Sequence, residues 1–183
     1  NFAYPLGHII TAKYWQNVKD DGLHYTVSDT GWAKAVWGKI YGQWIAGSAV
    51  FAHDYDLFSV LHTLHKIEQY KVTTFCAPPT IYRLFVRQDL HKYDLSNLSY
   101  CVTAGEAMEP NVFNRFEQMT GMKVYEGYGQ TELTLTTANF VWMNPKPGSI
   151  GKPSVGYDIR LLNNNDEKVP YGEDGELSIY TGK

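Results

Sequence analysis

The stretch VYEGYGQTEL, residues 124–133, decides how the chain is read. Its first half has the alternation of a strand, and Gly127 and Gly129 strip bulk from the loop that follows. Thr131 and Glu132 then set a hydroxyl beside a carboxylate at the end of that loop. The same strand-then-helix pattern recurs upstream. LSYCVTAG (98–105) precedes the helical EPNVFNRFEQMTG, for which Gly121 is the expected stop. VTTFCA (72–77) precedes PPTIYRLFVRQDL, where Pro78 and Pro79 suit a first helical turn. AVFAH (49–53) precedes DLFSVLHTLHKIEQY, and LHYTVSD (23–29) precedes WAKAVWGKIYGQWIAG. The opening NFAYPLGHIITAKYWQ reads as an amphipathic helix. This alternation predicts an α/β fold, a mostly parallel sheet flanked by helices. Ligands are then expected at the carboxyl ends of strands, at SDTGW (28–32), CAPPT (76–80), TAGEAMEP (103–110) and GYGQTE (127–132).

Beyond about residue 147 the pattern changes. Turn clusters NNND and PYGEDG separate the short runs YDIRLL and GELSIY, which is the language of antiparallel strands. The expected division is an α/β subdomain over 1–147 and the start of a β-barrel-like subdomain over 148–183, both incomplete, with the boundary in NPKPGSIG. Both ends look cut, so the expectation is a segment of a longer protein.

Composition narrows the classes. Apolar content of 44% and aromatic content of 15% exclude a disordered chain. A net charge of −3 with scattered lysines and arginines offers no stripe for a nucleic-acid backbone. No apolar run approaches the roughly 20 residues of a membrane span. Cys76 and Cys101 sit in apolar strand-like runs and are expected as small core residues, which fits an intracellular, reducing compartment, the cytoplasm. His62 and His65 share a helix face, with a solvated pair favoured over a metal site. PGSIG lacks the spacing of a nucleophile elbow.

As a dinucleotide fingerprint GYGQTE fails, because Glu132 stands where the third glycine should be and would repel a pyrophosphate. With a divalent cation the objection reverses: Thr131 can donate to a phosphate oxygen while Glu132 holds the metal. A plainer alternative is a tight βα turn with Thr131 as N-cap and Glu132 in the first helical turn.

YEGYGQTEL resembles the central motif of adenylate-forming enzymes. SDTGW, CAPPT, TAGEAMEP, KPGSIGKPS and GEDGELSI match the same family in the same order. The resemblance is to acyl-CoA synthetases, most closely their medium-chain branch, and spans essentially the whole chain. It implies a two-step ligase that activates a carboxylic acid with ATP and Mg2+ and passes the acyl group to coenzyme A. Thr131 is similar to the residue that binds the α-phosphate, and Glu132 to the magnesium-associated glutamate. Tyr128 looks like the adenine-stacking aromatic, with Gly105, Glu106 and Ala107 on the base's other side. Glu126, Gly127, Gly129 and Gln130 complete the nucleotide loop. Gly129, where acetate-specific relatives carry a tryptophan, implies a medium-chain or aromatic acid, in a pocket also lined by Trp32, Ala33 and Ala104. A buried core position is the alternative for Trp32. The phosphate loop and the catalytic lysine are expected outside residues 1–183, so the cations of the first step are expected to be missing and the fragment inactive. Other acceptors, as in luciferase-like or peptide-synthetase-like relatives, and a non-catalytic nucleotide-binding scaffold are the competing readings.

Overall fold

A computed structural model of the chain describes residues 2–35 and 40–182. The opening helix α1 (Tyr4–Ile10) runs on as a π-helical turn over Thr11–Trp15. Strand β1 (Leu23–Thr26) follows. Of the helix expected over 32–47, residues 33–35 are helical and residues 36–39 lie outside the described residues. Ile40 has a non-helical backbone (φ −121°, ψ −71°), so α2 (Tyr41–Ile45) begins a separate helix.

Next come β2 (Ala49–Phe51), α3 (Val60–Gln69) and β3 (Thr74–Cys76). Helix α3 starts later than the periodicity suggests, because the Ser59 side chain accepts the His62 N–H at 3.3 Å and caps it there. Pro79 opens α4 (Pro79–Phe85), β4 covers Tyr100–Thr103, and α5 (Pro110–Thr120) stops at Gly121 in the left-handed conformation (φ +73°). Strand β5 (Val124–Gly129) completes the parallel series.

The strand order is β2-β1-β3-β4-β5, all parallel, and then β6 (Leu135–Ala138) and β7 (Lys152–Pro153) join antiparallel. A second sheet pairs β8 (Asp158–Leu162) with β9 (Glu176–Tyr180) antiparallel, as the turn-rich sequence predicts. The α/β class and the mostly parallel sheet therefore hold.

Alternation along the strands feeds two cores. Phe75 and Cys101 face one side, packed with Tyr82, Phe85 and Phe116 from α4 and α5. Cys76, Tyr100 and Val102 face the other, under Trp15. Both cysteines are buried and in no disulfide among the described residues, as expected of core positions.

At the amino-terminal helices, His8 is fully buried, with the Tyr4 ring edge-on at 4.7 Å. Burial pushes its imidazole down to about 4 from the ordinary 6.5. Above pH 6.5 both folded and unfolded chains hold it neutral. As the pH falls through 6.5 towards 4, the unfolded chain takes up a proton that the folded one refuses, and stability is lost. The expected loss by pH 4 is roughly 3 kcal/mol. Denaturant titrations of wild type and His8→Gln between pH 7 and 4 check this: the wild type should lose more stability over that range by about this amount, and parallel losses would contradict it.

Candidate functional site

Four parallel strands, β1, β3, β4 and β5, end at one edge of the sheet, so the loops that follow them share it. Side chains tie these loops together. Thr80, after β3, donates to Glu106, after β4, at 3.1 Å. Arg83 of α4 reaches Glu109 at 2.8 Å. The Glu126 carboxylate of β5 accepts the Met108 N–H at 3.0 Å. Burial raises the Glu126 carboxyl above its ordinary value, and the Met108 N–H opposes the rise.

The loop between β5 and β6 is a short turn, not the start of a helix. Leu133 N–H bonds back to Gln130 O at 3.1 Å, and by residue 135 the chain has entered antiparallel β6. The βα-turn alternative for Thr131 and Glu132 is therefore overturned: no helix follows for Thr131 to cap. Register shifts between Tyr128 and Gly129, and a Cβ on Gly129 would sit 2.4 Å from Thr134 O. Glycine is what lets β6 come this close. Gly127 is constrained from the other face, since a Cβ there would meet the Trp15 indole at 2.8 Å. Tyr157 secures the far end of the turn: its hydroxyl oxygen accepts the Thr134 N–H at 3.1 Å and lies 3.0 Å from Thr134 Oγ1.

A cleft of about 400 Å3 opens at this edge. One wall is Gly31, Trp32, Ala33 and Lys34, another is Ala104 and Gly105, and the third is Gly129, Gln130, Thr131 and Glu132. Thr131 and Glu132 are both exposed to it. Trp32 is 66% exposed, which removes the core alternative for this residue. All four residues expected to line an acyl pocket, Trp32, Ala33, Ala104 and Gly129, border the same space. Glu106, Ala107, Glu126, Gly127 and Tyr128 lie outside this lining. Of these, Glu126 and Gly127 are buried, whereas Glu106, Ala107 and Tyr128 are exposed. Glu132 also borders a second groove, about 530 Å3, with Tyr4, Gly7, Thr134 and Tyr157.

Lys34 is the residue that sequence reading missed. It is 8% exposed, lines the cleft, and donates to Ala104 O. Its ammonium therefore belongs to the cleft wall, apart from the phosphate-loop and carboxyl-terminal cations that the resemblance places outside residues 1–183. The signal was its place two residues past Trp32, on the first helical turn after β1. No group of three or more His, Cys, Asp or Glu able to hold a metal occurs among the described residues, and His62 instead meets the ring of His53 at 4.9 Å. A lone carboxylate such as Glu132 still suits Mg2+, which keeps most of its water and takes one or two protein carboxylates together with substrate phosphates.

Parallel strand ends, a cleft between their loops and an exposed Thr–Glu pair define an α/β domain with its site at the sheet's carboxyl edge. The sequence profile of the AMP-binding enzyme family matches residues 4–182, and the chain belongs to that family. The Homo sapiens acyl-coenzyme A synthetase ACSM3, mitochondrial by name, is 37% identical over 177 residues, which are 97% of this chain and 30% of the relative. An anthranilate CoA ligase, AuaEII, solved in complex with anthranoyl-AMP, matches with a TM-score of 0.87 and 26% identity over 96% of this chain and 34% of its own. A Brucella canis acyl-CoA synthetase shares the fold, with a TM-score of 0.88 at 23% identity over 98% of this chain and 34% of its own. The chain thus spans about 30% of the length of the curated relatives it matches. Among the described residues no helix is long and apolar enough to cross a membrane.

Proposed function

We propose that these residues form the central part of an ATP-dependent acyl-CoA synthetase acting on a medium-chain or aromatic carboxylic acid. One observation carries the reading: Thr131 and Glu132 are exposed together in a cleft whose other walls are Trp32–Lys34 and Ala104–Gly105. On this reading the acid's carboxylate oxygen attacks the α-phosphorus of ATP and pyrophosphate leaves. The thiol of coenzyme A then attacks the acyl carbon and expels AMP.

Each residue has a defined task. The Thr131 hydroxyl donates to an α-phosphate oxygen and holds it while charge builds at phosphorus. Glu132, exposed and in no ion pair among the described residues, is the carboxylate free to hold Mg2+. Bound there, Mg2+ offsets the negative charge of the triphosphate. Tyr128 is exposed and makes no ring contact among the described residues, which leaves its face for adenine beside Gly105, Glu106 and Ala107. Gln130, Gly127 and Gly129 shape the turn, and Glu126 acts from behind it by holding the Met108 N–H. Ala33, Ala104, Gly129 and the Trp32 ring bound the acyl space.

The subdomain division at 147/148 remains part of the proposal, as does a cytoplasmic site for the protein. Two buried cysteines that form no disulfide among the described residues support a reducing compartment. A different acceptor in place of coenzyme A is the second reading, because none of the tasks assigned to the residues bordering this cleft selects the acceptor.

The test is acid-dependent exchange of labelled pyrophosphate into ATP by the full-length protein. Octanoate or benzoate should support exchange and acetate should not. The 183-residue chain alone is expected to show none, because it contains no phosphate loop. Exchange with no acid at all would overturn the adenylation reading, and normal turnover by the isolated chain would show that the essential groups lie within it.

A further inference from the structure

The acyl side of the cleft is not wholly apolar. Lys34 reaches it from the first helical turn after β1, sharing a wall with Trp32 and Ala33. The residue is 8% exposed, and its ammonium donates to the Ala104 carbonyl oxygen. A Cβ on Gly105 would lie 3.1 Å from Lys34 Nζ, so the ammonium sits against the backbone of the strand end that forms the facing wall.

An ammonium has three N–H donors, and a neutral carbonyl satisfies one of them. None of the ion pairs among the described residues includes Lys34. Glu106, whose charge acts on the ammonium, is turned towards Thr80, whose hydroxyl it accepts at 3.1 Å. Burial draws the lysine below its ordinary range, and Cys76 and Glu106 draw it partly back. A buried cation whose remaining donors meet no ion-pair partner among the described residues is costly in a pocket built for hydrocarbon alone. It is well placed in a pocket whose ligand brings an acceptor.

We propose that Lys34 determines substrate specificity, and that the preferred acid carries a second oxygen acceptor, an oxo, hydroxyl or carboxylate group, which the Lys34 ammonium binds. This deepens the acyl-CoA synthetase reading and rests on it. A plain medium-chain acid fills the same cleft but leaves the ammonium without that partner. Sites built to bond a polar substrate group discriminate strongly against analogues that lack it.

The experiment is acid-dependent pyrophosphate exchange by the full-length protein, run on matched pairs: adipate and 5-oxohexanoate against hexanoate, and 4-hydroxyphenylacetate against phenylacetate. Wild type is expected to favour the oxygen-bearing member of at least one pair by about tenfold or more in kcat/KM. Lys34→Met should lower kcat/KM for that acid about tenfold more than for its apolar match. A wild type that favours the apolar member of every pair, or a variant that shifts both members of every pair equally, overturns the inference and leaves the ligase reading standing. Exchange with no acid overturns both. The wild-type comparison decides the matter even if Lys34→Met fails to fold.

Discussion

Glu132→Gln in the full-length protein is expected to lower kcat for adenylate formation about 100-fold or more, with little change in melting temperature. The two halves of this result have separate causes. The carboxylate is exposed at the cleft and enters no ion pair among the described residues, so folding loses almost nothing with its charge. On the proposed reading, chemistry loses a metal-holding oxygen at the point where two anions, ATP and the acid, must approach. Raising Mg2+ should recover part of the rate in the variant, because a weakened site is filled by mass action. Single-turnover formation of acyl-AMP beside thermal melting separates the two effects. A variant that melts early and keeps its rate would make Glu132 a structural residue.

Gly129→Ala is expected to cost about 3 kcal/mol of stability, roughly a 10 °C fall in melting temperature for a domain of this size. The added Cβ would lie 2.4 Å from Thr134 O, a backbone atom with no rotamer to move aside. Strand β6 must therefore shift, and the turn bearing Thr131 and Glu132 shifts with it. Activity should fall for every acid alike. This separates two reasons for a glycine at this position. It borders the cleft proposed to hold the acyl group, and it also permits the close approach of two strands. A change in acid preference without a change in stability would favour the first reason alone.

The parallel half of the molecule is legible because its signals are local. Pro79 opens a helix, Gly121 closes one, and short β-branched and aromatic runs between helices mark buried strands. The cleft follows from that topology, since parallel strands bring Trp32, Ala104 and Thr131 to one edge although they are far apart in sequence.

Strand β6 was not legible as the continuation of GYGQTEL. A helix is the habitual successor to a parallel strand, and LTTA is buried on both faces, so the alternation that marks a half-exposed strand is muted. The break before α2 is not legible in the sequence because WAKAVWGKIYGQWIAG keeps a helical period across it. Lys34 was hidden by its type, since lysines on helices are solvated in most proteins and burial is visible only in three dimensions. The packing role of Gly127 was equally hidden, because Trp15 lies more than a hundred residues away in sequence.

The central claim is that the cleft between Trp32, Ala104 and Thr131 holds an acyl-adenylate. The most direct measurement is a crystal structure of the full-length protein with an acyl-sulfamoyl-adenosine analogue. The sulfamoyl group should lie against Thr131, adenine against Tyr128 and the acyl chain along Trp32. Density in the groove between Tyr4 and Tyr157, or none at either place at saturating ligand, would contradict the account.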